Sequence, residues 1–241
     1  MKTNYFNSSL IKPLVKASTQ HAAFNVGEIV FDWTGFEIPR GTAKLLGATI
    51  KIRAKGDAGQ TVQPNGINLL FAKGPTPDAT PTSLGTAGAE VTNFASTDIV
   101  GAMPSVSTDS FGLRTLYQST VSSSELVLEP NSNSGANVGV DKYYVAGLAA
   151  GAMDFTSLLT VNETNFGAAS QTVITTADLD PRLNLAPGDV VHANDDAVLG
   201  TILTVDNATQ ITLTAANTAA IANDDVLYNV NPIEIILHFS K

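Results

Sequence analysis

The sequence predicts an all-β protein: an antiparallel β-sandwich, jelly-roll-like, with a small β-barrel-like module inserted before its last strand. Three observations predict it. Residues 43–55 alternate with period two, Ile50, Ile52 and Ala54 against Lys51, Arg53 and Lys55, which gives a strand one apolar and one basic face. Residues 66–73 and 232–241 read as two similar apolar strands far apart in the chain, as expected when one domain is interrupted by another. Charge is unevenly spread as well: residues 158–232 hold nine acids and one base, Arg182, whereas the remainder holds 13 acids and 12 bases. The expected organisation is an extended arm over 1–26, a sandwich over 27–157 plus 232–241, and an acidic β module over 158–231.

Up to Val26 there are three lysines (Lys2, Lys12, Lys16) and no acid, with Pro13 interrupting the apolar stretch. This arm is either a solvated terminus or a segment that orders on an acidic neighbouring subunit. Tyr5, Phe6 and Leu10 join its lysines as candidate interface residues, because a terminal segment has little core of its own. Residues 28–33 form the first body strand, and Pro39 and Gly41 supply the fixed and positive φ values of the turn before residues 43–55. Residues 56–60 make the next turn and 67–73 the next strand. The Pro-rich stretch from Gly74 to Pro81 begins a long irregular connection, either a solvated excursion or a contact with a neighbour. Residues 111–119 and 125–128 are expected as two strands with a Ser-rich turn between them, 131–137 as a loop, and 142–146 as a further strand. Gly147 and Gly151 weaken both helix and strand around 148–153, which stays unassigned.

Within the acidic part, residues 187–192, 198–205, 210–214 and 226–230 are short strands about 10 residues apart, the rhythm of a compact barrel or sandwich. Residues 215–222 suggest a single helical turn.

Composition narrows the function classes. The absence of cysteine removes disulfides, thiol nucleophiles and cysteine-ligated metals. Charged residues are 15% of the chain, against about 25% in an average soluble domain, which suits a surface built to pack on other surfaces. A net charge of -9 argues against sequence-independent nucleic-acid binding. No apolar run approaches the roughly 20 residues of a membrane helix, and the first 27 residues lack a signal-peptide core, so a soluble, unprocessed protein is expected.

Gly-Asp-Val at 188–190, Leu-Gly-Thr-Ile at 199–202 and Val-Asp-Asn-Ala-Thr-Gln-Ile-Thr-Leu-Thr at 205–214 resemble small β modules of structural proteins of tailed bacteriophages. The run Phe-Asp-Trp-Thr-Gly-Phe-Glu-Ile-Pro-Arg-Gly at 31–41 is similar to virion proteins of marine phages. The resemblance covers mainly the last third of the chain and transfers no ligand or catalytic residue. It implies a virion protein, foremost a capsid decoration or cement protein whose partners are capsid or other virion proteins. A homo-oligomer is expected, a trimer foremost, because phage lattices are symmetric. The alternative is a tail or fibre component with a glycan-binding sandwich.

Chemistry-bearing residues point to no reaction, and the expectation is a non-enzyme with no cofactor. Asn194-Asp195-Asp196 and Asn223-Asp224-Asp225 echo one another. Asp195, Asp196, Asp224 and Asp225 are candidate Ca²⁺ ligands, although Asn and Asp are equally the ordinary residues of turns and the spacing fits no calcium loop. His21, His192 and His238 are in no metal-binding spacing, and neither a nucleophile elbow nor a phosphate loop is present. Trp33 and Phe36 are candidates for an interface or for stacking on a sugar, with core packing as the plainer alternative.

Overall fold

The computed structural model describes residues 5–7, 10–15, 23–39, 41–76, 79–93, 99–105, 107–109, 115–128, 140–163, 167–194 and 197–240. Among them are fifteen strands: β1 (Tyr5–Asn7), β2 (Ile29–Pro39), β3 (Ala43–Ile52), β4 (Ile67–Ala72), β5 (Ile99–Met103), β6 (Ser107–Asp109), β7 (Leu116–Leu128), β8 (Val140–Ala149), β9 (Thr160–Val161), β10 (Val173–Ala177), β11 (Val190–His192), β12 (Val198–Asn207), β13 (Gln210–Leu213), β14 (Tyr228–Asn229) and β15 (Ile233–Ser240). The all-β expectation holds. One sheet runs β1-β15-β3-β7-β6 and a second runs β2-β8-β4-β5, with antiparallel neighbours throughout. The strands at 66–73 and 232–241 therefore belong to opposite sheets. The last strand pairs with β3 along its whole length, Ile233 opposite Ile52 and Ser240 opposite Lys44.

Alternation explains most of the core. Ile50 and Ile52 of β3, Ile67, Leu69 and Phe71 of β4, and every second residue from Ile233 to Phe239 point into one apolar cluster. Opposite β15 the register of β3 shifts between Leu45 and Gly47, so Leu46 is an extra residue in the strand. That bulge reverses the parity and lets Ala43 and Leu45 face inward along with Ala48 and Ile50. Phe36, expected as an interface candidate, is a core residue at 3% exposure. Its ring lies 6.2 Å from Tyr143, 6.3 Å from Phe71 and 6.2 Å from Phe239, thereby joining the two sheets. β2 continues past residue 33 to Pro39, and this carries Phe36 inside.

A polar tie also crosses the sandwich. The buried Gln118 of β7 accepts from Ile67 N at 2.8 Å and donates to Ile67 O at 3.1 Å, imitating one more rung of strand pairing. Residues 116–128 form one 13-residue strand rather than two, with the serines inside it. β3 explains this, because its hydrogen-bonding edge runs on from Ile52 to Ala43 and pairs with both ends of β7.

Residues 10–15 and 23–26, expected as part of a free arm, are laid against the chain's own sandwich. Ile11 N donates to Ile235 O at 3.0 Å and Ile235 N to Ile11 O at 2.9 Å, while Phe24 and Met153 exchange bonds in the same way. Ile11, Val15 and Phe24 are in the sandwich core. An uncovered β15 would expose a row of backbone donors and acceptors, and this segment satisfies them.

A second, separate apolar cluster begins at Leu159 and ends at Leu227. It fills a sheet of order β14-β11-β12-β13-β10-β9. The two margins of that sheet meet: Val161 N donates to Asp225 O at 2.9 Å and Leu227 N to Leu159 O at 2.8 Å, around a Thr160–Val226 bridge. The sheet thus closes on itself around an interior of aliphatic side chains. Residues 215–222 form bends and a bridge rather than a helical turn. Asn217 takes over the role of that turn, with its fully buried amide accepting from Ser170 N and Gln171 N and donating to Gly167 O and Ala219 O.

Candidate interaction surface

Three of the exposed large apolar residues lie on the N-terminal segment, while Val127, Leu158, Leu183 and Leu203 are exposed elsewhere. Leu10 is 47% and Leu14 62% exposed, on either side of the buried Ile11 and Pro13, and Val26 is exposed further along. Alternation produces this pattern: the face of the segment turned to β15 is inserted and the other is bare. Lys12 is tied down by Glu234, which also binds Lys51 at 3.0 Å. Burial opposes ionisation of Glu234, but hydrogen bonds and charge from Lys51 and Lys12 outweigh it and hold its carboxyl below the usual range.

Beside the segment lies a groove of about 500 Å³, mostly apolar, where Leu14 meets Phe31 and Trp33 of β2 and His192, Val198 and Val230 of the barrel side. Trp33 is half-buried. Its indole N–H donates to Thr82 O at 2.9 Å, and its ring packs with Leu84 and Ile29 against the outer face of the second sheet. The described part of the connection after β4 is pinned to the sheet at Leu84, which is buried and whose N donates to Asp32 Oδ1 at 3.2 Å, while most of its other residues stay exposed. Trp33 anchors this connection with one part of its ring system and lines the groove with another.

Sandwich and barrel meet at a buried ion pair. Arg53, just past β3, places Nη1 2.8 Å from Asp189 Oδ2 and Nη2 3.0 Å from Oδ1. Asp189 is 1% exposed and also accepts from Ala186 N at 2.8 Å and from Asn229 Nδ2 at 2.9 Å. Burial pushes its carboxyl upward against the pull of Arg53 and Lys12. Sequence reading singled out neither partner, because an Asp in a Pro-Gly-Asp turn and an Arg on an alternating strand are ordinary surface patterns.

Of the other anticipated residues, Lys2, Lys16, Asp195 and Asp196 lie outside the described residues. Tyr5 and Phe6 are placed in β1 by backbone pairing, opposite Ser240 and Phe239. Asp224 has a φ of 66° and Asp225 Oδ2 accepts from Ala222 N at 2.7 Å, as turn residues do. Asn194 Oδ1 accepts from Val226 N at 3.1 Å, which brings the two echoing turns together. Among the described residues no three His, Asp or Glu side chains converge as metal ligands, and no helix is long and apolar enough to cross a membrane. Leu14, Val26 and Val198 went unnoticed in the sequence, since single aliphatic residues between polar ones carry no signal of exposure.

Comparison with protein-family models, with curated proteins and with solved structures finds no match.

Proposed function

We propose that this chain is a non-enzymatic structural protein of a tailed-phage virion, a capsid decoration or cement protein that docks through its N-terminal segment and the adjoining groove. The observation that carries the reading is the concentration of exposed apolar side chains, Leu10 and Leu14, on a segment bound along a sheet edge and bordered by the Trp33 groove. Such a surface is apolar, rimmed by Lys12 and Asp32, and backed by rigid strands, which suits packing onto another protein. The low charge of the sandwich and the resemblance of the barrel region to phage modules support the same reading. In this arrangement the acidic barrel keeps decorated particles apart through charge of one sign.

Sedimentation with phage capsids tests the proposal. The full chain is expected to pellet with capsids at a fixed copy number, as a trimer, and a Leu10→Asp/Leu14→Asp variant with unchanged β content is expected to stay in the supernatant. Equal binding by that variant would overturn the assigned surface. Specific retention on a glycan array without capsid binding would move the reading to a tail or fibre component.

A further inference from the structure

We propose that the seam between sandwich and barrel holds a binding site for a tetrahedral oxyanion, a phosphoryl or sulfate group that arrives free or as the ester of a larger molecule. The site is a cavity of about 260 Å³ walled by both units: Lys51, Arg53, Gln60 and Thr115 on the sandwich side and residues 182–186 on the barrel side. Its volume lies below the roughly 300 Å³ at which sites for drug-sized ligands begin, which suits a single anionic group. Lys51 and Arg53 are two residues apart on the basic face of β3 and its continuation, so strand alternation turns both toward the same side. Arg182 is the only base among residues 158–232, against nine acids, and it too lines the cavity. Three of the chain's 13 bases thus share one wall, and among the described residues no carboxylate belongs to it.

The three cations are oriented without being used up. Each is held by a carboxylate outside the wall: Lys51 Nζ by Glu234 at 3.0 Å, Arg53 by Asp189 at 2.8 and 3.0 Å, and Arg182 by Asp180 through Nε at 2.9 Å and Nη2 at 2.6 Å. An ammonium has three donors and a guanidinium five. Among the described residues Lys51 Nζ bonds to Glu234 alone, Arg182 Nη1 and Arg53 Nε bond to nothing, and the Thr115 hydroxyl makes no hydrogen bond. Donors gathered with no carboxylate between them match a ligand whose oxygens all accept, and the flat fork of an arginine meets two of those oxygens at once. Because the pairing acids cancel the net charge, selectivity comes from donor geometry rather than from a positive field. Gln60 Nε2 donates to Leu183 O at 2.6 Å, which fixes the two sides of the wall to each other before a ligand arrives. The inference goes beyond the proposed function, since this cavity shares no lining residue with the Trp33 groove.

Isothermal titration of the full chain with inorganic phosphate, sulfate and glycerol phosphate, with chloride at equal ionic strength as the blank, tests the proposal. Saturable one-site binding of at least one of the three is expected. Tighter binding of glycerol phosphate than of inorganic phosphate identifies an ester of a larger molecule as the ligand, and equal or weaker binding identifies the free ion. The Arg182 side chain is 58% exposed, so Arg182→Gln is expected to keep its β content by circular dichroism and to bind about tenfold more weakly, the loss of one charge-assisted contact. Asp180→Asn releases the Arg182 fork and is expected to tighten binding. Glu37→Gln, exposed on β2 of the other sheet, is expected to leave it unchanged, because exposed charges beyond about 8–10 Å are screened. Should Arg182→Gln fail to fold, Arg182→Lys, which keeps the charge and loses the fork, takes its place with the same expected direction. Titration curves indistinguishable from the chloride blank would overturn the proposal, and so would undiminished binding by the folded Arg182 variant. Either result leaves the docking surface standing, since that is read from Leu10 and Leu14 variants in capsid sedimentation.

Discussion

Replacing Arg53 with Met removes the countercharge of Asp189 while keeping most of the apolar stem. Asp189 retains two donors, Ala186 N and Asn229 Nδ2, but its carboxylate stays 1% exposed with no cation in contact. Stranding one member of a buried pair costs about 3–5 kcal/mol. An upper limit comes from the alternative of taking up a proton. From an ordinary value of 3.8, neutralising the group at pH 7 costs about 4 kcal/mol. For 241 residues unfolding as one unit, an entropy near 2.1 cal/mol/K per residue converts 3–4 kcal/mol to a fall of roughly 6–8 °C in Tm. Thermal unfolding followed by circular dichroism at pH 7 measures it. The deficit is expected to shrink toward pH 5 as Asp189 neutralises, and an Arg53→Met/Asp189→Leu chain is expected to recover most of it. A Tm within about 1 °C of the parent, or a double variant no better than the single, would refute the reasoning.

Asn217→Ala removes hydrogen bonds to four backbone groups, of which Ser170 N, Gln171 N and Ala219 O lose the partner described for them while Gly167 O keeps Ser170 Oγ, and a loss of about 3 kcal/mol is expected in urea denaturation. Gly147→Ala would place a methyl 2.2 Å from Phe31 Cε1, so strain of about 1–3 kcal/mol should lower the denaturation midpoint. The carboxyls of Glu234 and Asp154 are both held below their usual range, the lysine partners prevailing over burial. Their contribution is therefore present above the ordinary values of 4.5 and 3.8 and is lost as pH falls through the lowered ones. Urea midpoints measured from pH 7 down to pH 3 should fall, and Glu234→Gln should flatten that slope. Joining Ser157 to Pro232 by a short linker should leave a sandwich that unfolds cooperatively by circular dichroism; loss of its β signal would show that the barrel is needed for folding.

Much of the architecture could be read because strands with one wet face advertise themselves. Alternation in 43–55 located β3, and the concentration of acids in 158–232 flagged the region that builds its own apolar cluster. Periodicity failed where a neighbour decides the outcome. The serines of 122–124 look like a turn, yet they lie inside β7, at the register shift between its two stretches paired with β3. β10, Val173–Ala177, was overlooked because its threonines blur the apolar alternation that makes a strand visible. Phe36 could be read as an interface aromatic or, more plainly, as core, and the continuation of β2 through it decides for the core. The candidate interaction surface was only partly legible. Leu10 and Lys12 stood out on a lysine-bearing terminus, but the groove is made by residues from 12 to 230 that meet only after folding.

The position of β15 sets a timetable for synthesis. It lies between β1 and β3, and its His238 meets Thr49, which left the ribosome 189 residues earlier. At about 5–20 residues per second the early strands wait roughly 10–40 s for this last partner, with apolar faces uncovered. The barrel, whose strands are near neighbours in the chain, is free to close during that delay. A chain that stalls before Ile233 leaves the ribosome with a folded acidic bead on an unpaired sheet, so incomplete copies present bare strand edges to chaperones and proteases.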